Sequence, residues 1–361
     1  MKMKMQMVVV CLAMAFLASA PSAFAGDITF GNTLTSVTVD GHTTALGSGV
    51  SVIKDGSLYH MWYHDNSDTL FTIGGLHEAT SSDGVNFTSI GALSFSNDPF
   101  STGTAPDLYY ENVSNVGGDY KLQHWTYNGG AGSFPAYNYN ISVSDIGTNP
   151  DNLTVTHQGA IAGGTLGQTA GPFGIVGNYI YMQAGDGRQM WRGLYNDNNG
   201  GTPSVTDLTM VADENALFGS LLMPGGYLNN HSSVTAGSGE LHFFFTVRVD
   251  QGGTRANEQV YQSYSTDGGA TWSSPTGVFA AAPLDGSAPG GNFAHAQGVY
   301  DSANNQYRLY LSTKDSTGNY VIATALEVPA QETPEPGTLF SLGAGIVLIA
   351  AGWRKRRPSG I

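Results

Sequence analysis

Asp55-Gly56-Ser57-Leu58-Tyr59-His60-Met61-Trp62-Tyr63 is a tight polar turn feeding a strand rich in aromatic residues. The same grammar returns as Gly117-Gly118-Asp119-Tyr120-Lys121-Leu122-Gln123-His124-Trp125 and as Val176-Gly177-Asn178-Tyr179-Ile180-Tyr181-Met182. It appears again as Gly237-Ser238-Gly239-Glu240-Leu241-His242-Phe243-Phe244-Phe245 and as Asn304-Asn305-Gln306-Tyr307-Arg308-Leu309-Tyr310-Leu311. Taking Tyr59, Tyr120, Tyr179, Leu241 and Tyr307 as equivalent gives spacings of 61, 59, 62 and 66 residues. A fixed period of turn-bounded strands indicates a repeat architecture. Units of about 60 residues exceed a solenoid repeat and fall short of the roughly 100 of a sandwich domain, but suit a four-stranded propeller blade. The expected fold is all-β, a five-bladed β-propeller over residues 26–330. Its fifth unit ends soon after 320–326, so the last strand is expected from the N-terminus, at Ser36-Val37-Thr38-Val39. Closure of that kind removes exposed sheet edges.

Composition agrees with many short strands and tight turns. The 361 residues include 49 glycines, with 41% hydrophobic and only 12% charged residues. Fourteen basic residues stand against 28 acidic ones, and six of the basic ones lie in the two tails. Residues 27–333 therefore hold eight basic and 27 acidic residues, a net charge of −19. Such a domain repels nucleic acid and anionic membrane surfaces, which require a basic footprint.

The ends carry addresses. Lys2 and Lys4 precede an apolar run from about Met7 to Ala18, and Ala23-Phe24-Ala25 closes it. This is the layout of a secretory signal peptide over residues 1–25, with cleavage expected after Ala25. The lone Cys11 falls inside it, so no disulfide is expected in the mature chain. At the other end, residues 331–361 contain Pro334-Glu335-Pro336, an apolar segment 338–353 and the basic run Arg354-Lys355-Arg356-Arg357. Sixteen helical residues span about 24 Å, short for a bilayer core of roughly 30 Å but workable when flanking basic residues snorkel. A single membrane segment is expected there. Positive charge after it predicts a cytoplasmic tail end.

That order of Pro-Glu-Pro, short span and basic cluster resembles the PEP-CTERM sorting signal of Gram-negative bacteria. The resemblance implies export, surface sorting and processing by an exosortase, in organisms that make an extracellular polysaccharide matrix. The central region resembles a second group. Ala79-Thr80-Ser81-Ser82-Asp83-Gly84-Val85-Asn86-Phe87 and Ser265-Thr266-Asp267-Gly268-Gly269-Ala270-Thr271-Trp272 look like the turns of five-bladed propeller glycosidases, glycoside hydrolase families 43, 32 and 130. The second of these also matches the Asp-box of sialidases. In such turns an aspartate caps backbone N–H groups, glycine takes a positive φ and the aromatic packs beneath. Asp83, Asp267 and Trp272 are accordingly expected to be structural.

Glycosidases need two carboxylates, one as acid and one as base or nucleophile. The resemblance implies three, one at the inner end of each of the first three blades. The second-blade motif is present as Ala105-Pro106-Asp107 before Leu108-Tyr109-Tyr110. The first-blade position falls on Gly49-Val50 and the third on Ala170-Gly171-Pro172, so neither carries a carboxylate. Asp107 is the one catalytic candidate, with Asp186 and Asp301 as possible displaced partners. His231 and His295 precede inner strands and are candidate sugar ligands. No His-Glu-x-x-His motif occurs, so no dedicated metal site is expected. Asn196-Asp197-Asn198-Asn199-Gly200 is oxygen-rich but lacks the terminal glutamate of a Ca²⁺ loop, which favours ordinary turn chemistry. Trp62, Trp125 and Trp191 are expected in the core. A sialidase would need clustered arginines, and Arg188, Arg192, Arg248, Arg255 and Arg308 form no such motif. The expected function is an exported, surface-sorted propeller that binds or organises extracellular polysaccharide. Alternatives are a glycoside hydrolase-like enzyme acting through Asp107 and displaced carboxylates, or a structural, protein-interaction propeller.

Overall fold

A computed structural model of the protein describes residues 26–43, 46–65, 76–96, 112–127, 139–163, 171–184, 187–218, 226–228, 232–251, 254–255, 260–279, 294–314 and 320–328. The signal-peptide region, including Ala25, and the sorting segment, including Pro334, Glu335 and Pro336, lie outside the described residues. Among the described residues no helix is long and apolar enough to cross a membrane.

The chain opens with β1 (Thr35–Ser36), β2 (Thr38–Val39) and β3 (His42–Thr43). Blade 1 is the antiparallel meander β4 (Leu46–Asp55), β5 (Leu58–Asp65), β6 (Leu76–Ser81) and β7 (Asn86–Ala92). β8 (Ser94–Ser96) leads to blade 2, made of β9 (Asn112–Val116), β10 (Asp119–Tyr127), β11 (Tyr139–Gly147) and β12 (Thr154–Ala160). Blade 3 is β13 (Pro172–Val176), β14 (Tyr179–Ala184), β15 (Gln189–Asn196) and β16 (Ser204–Ala212). In blade 4, β17 (Gly226–Leu228) and β18 (Ser233–Ala236) both pair with β19 (Leu241–Gln251). β20 (Thr254–Arg255), β21 (Val260–Ser265) and β22 (Thr276–Gly277) complete it. Blade 5 comprises β23 (Ala294–Asp301), β24 (Gln306–Lys314) and β25 (Tyr320–Leu326), with β1 as its outer strand. The inner strands β4, β9, β13, β18 and β23 touch in cyclic order, and β23 returns to β4.

Closure differs in detail from the sequence expectation. Thr35 and Ser36 pair with Thr324 and Ala323, and Val37 N–H donates to the Ile322 carbonyl at 2.9 Å. Thr38 and Val39 instead cross to blade 1 and run parallel to Asn86 and Phe87. Val37 and Val39 are buried in the apolar cluster between those two blades. The segment therefore seals the seam of the ring rather than lying wholly in one sheet.

The core lies between blades because strand side chains alternate in direction. On β5, Tyr59, Met61 and Tyr63 pack with Val299, Tyr310 and Ile322 of blade 5. Trp62 faces the other way, onto Val113, Tyr120 and Leu122 of blade 2. The same test corrects the repeat register in blade 3. Ile180 and Met182 pack on Ile141 and Val143 of blade 2, whereas Tyr179 is 37% exposed. Ile180 thus takes the place assigned to Tyr179, and the first three spacings become 61, 60 and 61 residues.

Two sets of polar contacts tie the blades together. Along the inner strands, Val113 N–H donates to Ser51 Oγ (2.8 Å) and Ile175 N–H to Ser114 Oγ (2.9 Å). Thr235 Oγ1 donates to the Gly298 carbonyl (2.6 Å), and Val52 N–H to Gln297 Oε1 (2.6 Å). Farther out, His60, Lys121, Tyr181, His242 and Arg308 occupy one repeat position and face the following blade. Lys121 Nζ lies 3.1 Å from Asp145 and 3.2 Å from Asp197, which belongs to the next blade's outer turn. The Tyr181 hydroxyl donates to the Gly268 carbonyl at 3.0 Å, and His242 packs edge-on against Tyr307. Arg308 stacks 5.6 Å from the Tyr59 ring, and its neighbour Tyr310 donates to the Gly84 carbonyl at 2.9 Å. Gly84 must be glycine: its φ is +70° and a Cβ there would lie 2.6 Å from the Tyr310 hydroxyl.

Asp301, at the far end of β23, fastens blade 5 to blade 1. Its carboxylate accepts from Lys54 Nζ (2.5 Å), Tyr59 (3.2 Å) and Asn304 Nδ2 (2.8 Å). Burial raises this carboxyl, but the bonds from Lys54 and Asn304 outweigh burial and lower it to about 2. Its stabilising share is full above the unfolded carboxyl value of about 4 and is lost as pH falls through about 2. The unfolding free-energy gap between wild type and Asp301→Asn should therefore shrink across that window in acid titrations. Gln297→Leu removes the acceptor for the buried Val52 N–H. It should cost roughly 1–3 kcal/mol in denaturant melts; a cost near zero would show that the inner-strand ring does not hold the blades.

Candidate functional site

The beginnings of the inner strands converge at one end of the ring, and three of them are irregular there. β4 shifts register between Leu46 and Val50, the stretch containing Gly49. β13 does so between Pro172 and Gly174, and β23 between Ala294 and Gln297. Bulges at corresponding places re-aim side chains and are frequent beside binding sites. His295 lies in the third irregularity, 6% exposed and with a left-handed backbone of φ +61°. A non-glycine residue there is strained and persists only where its surroundings fix it. Asn112, Ser232 and Ser233 at the starts of neighbouring strands are also buried.

The other site candidates divide clearly. Asp107, Ala170, Asp186 and His231 lie outside the described residues. By sequence, Asp107 precedes β9 and His231 precedes β18. Asp301 sits at the opposite end of β23 from His295 and is engaged by Lys54. Arg188 pairs with Glu214, while Arg192 donates to the Gly268 carbonyl at 2.7 Å and stacks on Tyr179. Arg308 belongs to the seam between blades 5 and 1. Trp62 is fully buried, and Trp191 is half-buried with Nε1 donating to Gln189.

The two aspartate turns are closely alike. Asp83 Oδ1 accepts from the N–H groups of Val85 and Asn86, both at 2.8 Å, and from Ser81 Oγ. Burial raises its carboxyl, but hydrogen bonds from Asn86, Val85 and Ser81 override this and depress it strongly. Asp267 Oδ1 accepts from Ala270 N–H (3.0 Å) and Thr271 N–H (2.9 Å), and Oδ2 from Thr271 Oγ1 (2.6 Å). Those bonds from Thr271 hold its carboxyl at about 2. Trp272 packs edge-on to Tyr181 and donates from Nε1 to the Gly269 carbonyl. Both carboxylates have their acceptor capacity used by their own turns. In the oxygen-rich loop, Asp197 Oδ2 accepts from Gly200 N–H, while Oδ1 faces Lys121. An ammonium already occupies the side from which a cation would be bound.

One polar cluster has no counterpart in the sequence expectations. His60 Nδ1 lies 3.3 Å from Glu78 Oε1 and 3.2 Å from Asp151 Oδ1, in the seam between blades 1 and 2. His60 and His64 stand four residues apart, a spacing that gathers metal ligands on a helix. On a strand it separates them by about 13 Å. The three clustered residues come from three segments, and no spacing in the sequence links them; in the sheet Glu78 lies opposite Trp62.

Residues 332–357 match the family model of the PEP-CTERM protein-sorting motif. No curated protein matches the sequence. Among solved structures, the chain is similar to an exo-β-1,3-galactanase from Phanerochaete chrysosporium solved with β-1,3-galactotriose (12% identity, TM-score 0.54). That alignment covers 83% of this chain but 64% of the galactanase. A native Bacillus subtilis arabinanase aligns at 14% identity and TM-score 0.53, covering 82% of this chain and 96% of its own. A thermostable family-43 glycoside hydrolase aligns at 11% identity and TM-score 0.56, covering 82% and 94%. The likeness carries the fold, an all-β five-bladed β-propeller like those of family-43 structures.

Asp267→Ala should lower stability by about 1 kcal/mol, the worth of a turn cap, while leaving any sugar retention by the chain unchanged. Thermal melts and affinity electrophoresis measure the two effects; lost retention in a folded variant would place Asp267 in the site.

Proposed function

We propose that this chain is an exported, surface-sorted propeller that binds or organises extracellular polysaccharide and lacks conventional glycosidase chemistry. One observation carries the reading. A PEP-CTERM motif at 332–357 is joined to a family-43-like propeller whose first- and third-blade positions hold Gly49 and Ala170 where the resemblance implies carboxylates. The motif implies export, sorting to the cell surface and processing by an exosortase. Solved propellers of this shape include a galactanase holding a galactotriose and an arabinanase, which supports a sugar polymer as the ligand class. Acid–base hydrolysis needs two carboxylates about 5–9.5 Å apart. Asp107 alone provides one group that accepts hydrogen bonds from sugar hydroxyls. His231, which precedes the fourth inner strand in sequence, and His295, the second residue of the fifth, are assigned as further hydroxyl ligands. The strained, bulged backbone of His295 supports its place in this set. No cofactor is assigned to this role.

The test pairs a glycan array with an assay of reducing ends released from the host's own polysaccharide. Retention without release is expected. Asp107→Ala should weaken retention about 10-fold, the worth of one well-made hydrogen-bonded contact. Release by the wild type that disappears in Asp107→Ala would establish a hydrolase with displaced carboxylates instead.

A further inference from the structure

From the three side chains that meet between blades 1 and 2 we infer that His60, Glu78 and Asp151 form a binding site for one divalent transition-metal ion of the Zn²⁺ class. The ligand atoms all lie within 4.8 Å of one another, and the two separations from His60 Nδ1 are 3.2 and 3.3 Å. A single ion with bonds of about 2.1 Å sets adjacent ligands about 3.0–3.4 Å apart, from octahedral to tetrahedral geometry, and the two separations from His60 fall in that range. One imidazole with two carboxylates is an N/O donor set suited to Zn²⁺ or Mn²⁺. Ca²⁺ takes cages built from oxygen alone.

A second observation points to a missing partner. Glu78 is 0% exposed, and its Oε2 is buried with no hydrogen-bond partner. Burying a carboxylate without a compensating partner is costly. The seam between blades 2 and 3 offers an internal comparison. There Lys121 occupies the repeat position of His60, and its ammonium stands between the carboxylates of Asp145 and Asp197. Lysine carries its own cation with three protons to share. His60 presents a single nitrogen to two carboxylates and so leaves Glu78 Oε2 unserved; a metal ion fills the place of the ammonium. Asp151, whose side chain is 46% exposed, gives the ion a route from solvent. The site lies among the turns at the end of the blades opposite the inner-strand starts, so its metal is independent of sugar binding.

The test uses the full chain, untagged, stripped with a chelator and titrated with Zn²⁺, with Ca²⁺ as the contrast. One Zn²⁺ per chain is expected, with a rise in Tm of about 5 °C at a hundredfold excess over Kd. Glu78→Gln and the more exposed Asp151→Asn should each weaken Zn²⁺ at least 10-fold, while Asp197→Asn at the Lys121 seam should leave it unchanged. X-ray absorption should find nitrogen and oxygen ligands without sulfur. No stoichiometric Zn²⁺ on the folded wild type, wild-type affinity in both variants, or preference for Ca²⁺ would each overturn the assignment.

Discussion

Val52 N–H bonded to Gln297 Oε1 joins the last blade to the first across 245 residues of sequence, and the other inner-strand bonds repeat that device around the ring. Each buries a backbone donor or acceptor that would otherwise be left dry at the start of a sheet. Adjacent strands within a blade satisfy each other, but the inner strand has one edge facing the axis and no sheet beyond it. Side chains of Ser51, Ser114, Thr235 and Gln297 supply the missing partners from the neighbouring blade. The ring is thereby closed by polar contacts at the centre and by the β1–β2 segment at the rim. Apolar clusters between successive blades fill the space between those two boundaries.

The outer contacts show how one constraint is met by different chemistry. In the first three blades the second strand presents a polar side chain to a carbonyl or carboxylate of the next blade's outer turn. Tyrosine meets a carbonyl at Gly268, and lysine meets two carboxylates at Asp145 and Asp197. Gly269 fits the first solution, because a Cβ there would overlap the Tyr181 hydroxyl. Histidine at position 60 meets two carboxylates with one nitrogen, which sets that seam apart from the others. His242 belongs to the same series but is adapted to a dry setting: burial lowers its pKa, against the opposing pull of Glu240, Gln262 and Glu327.

Turn grammar and aromatic strands made the blade count legible because both recur at nearly constant spacing. The residues that close the ring were only partly legible. Ser36 and Val37 read as strand, yet nothing local distinguishes Val37, bound to blade 5, from Val39, paired with blade 1. The one-residue slip at Tyr179 has a similar origin. Tyrosine, isoleucine and tyrosine in succession satisfy either face, and only burial against Ile141 decides which side belongs to blade 2. The histidine–carboxylate cluster was not legible at all, since Asp151 comes from another blade some 90 residues from His60.

This division between frame and mouth bears on why carboxylates can disappear from such a propeller without loss of the fold. The bonds that hold inner strands together fall at Ser51 and Ser114, beyond the strand starts, while the positions where the resemblance implies carboxylates come earlier in the chain, at Gly49 and Asp107. Replacement of an acid at Gly49 costs none of the inter-blade bonds described. It also removes one of the charges that would repel one another in a domain already at −19. A ring stabilised one step inside its mouth leaves the residues of that mouth free to change without loss of the fold.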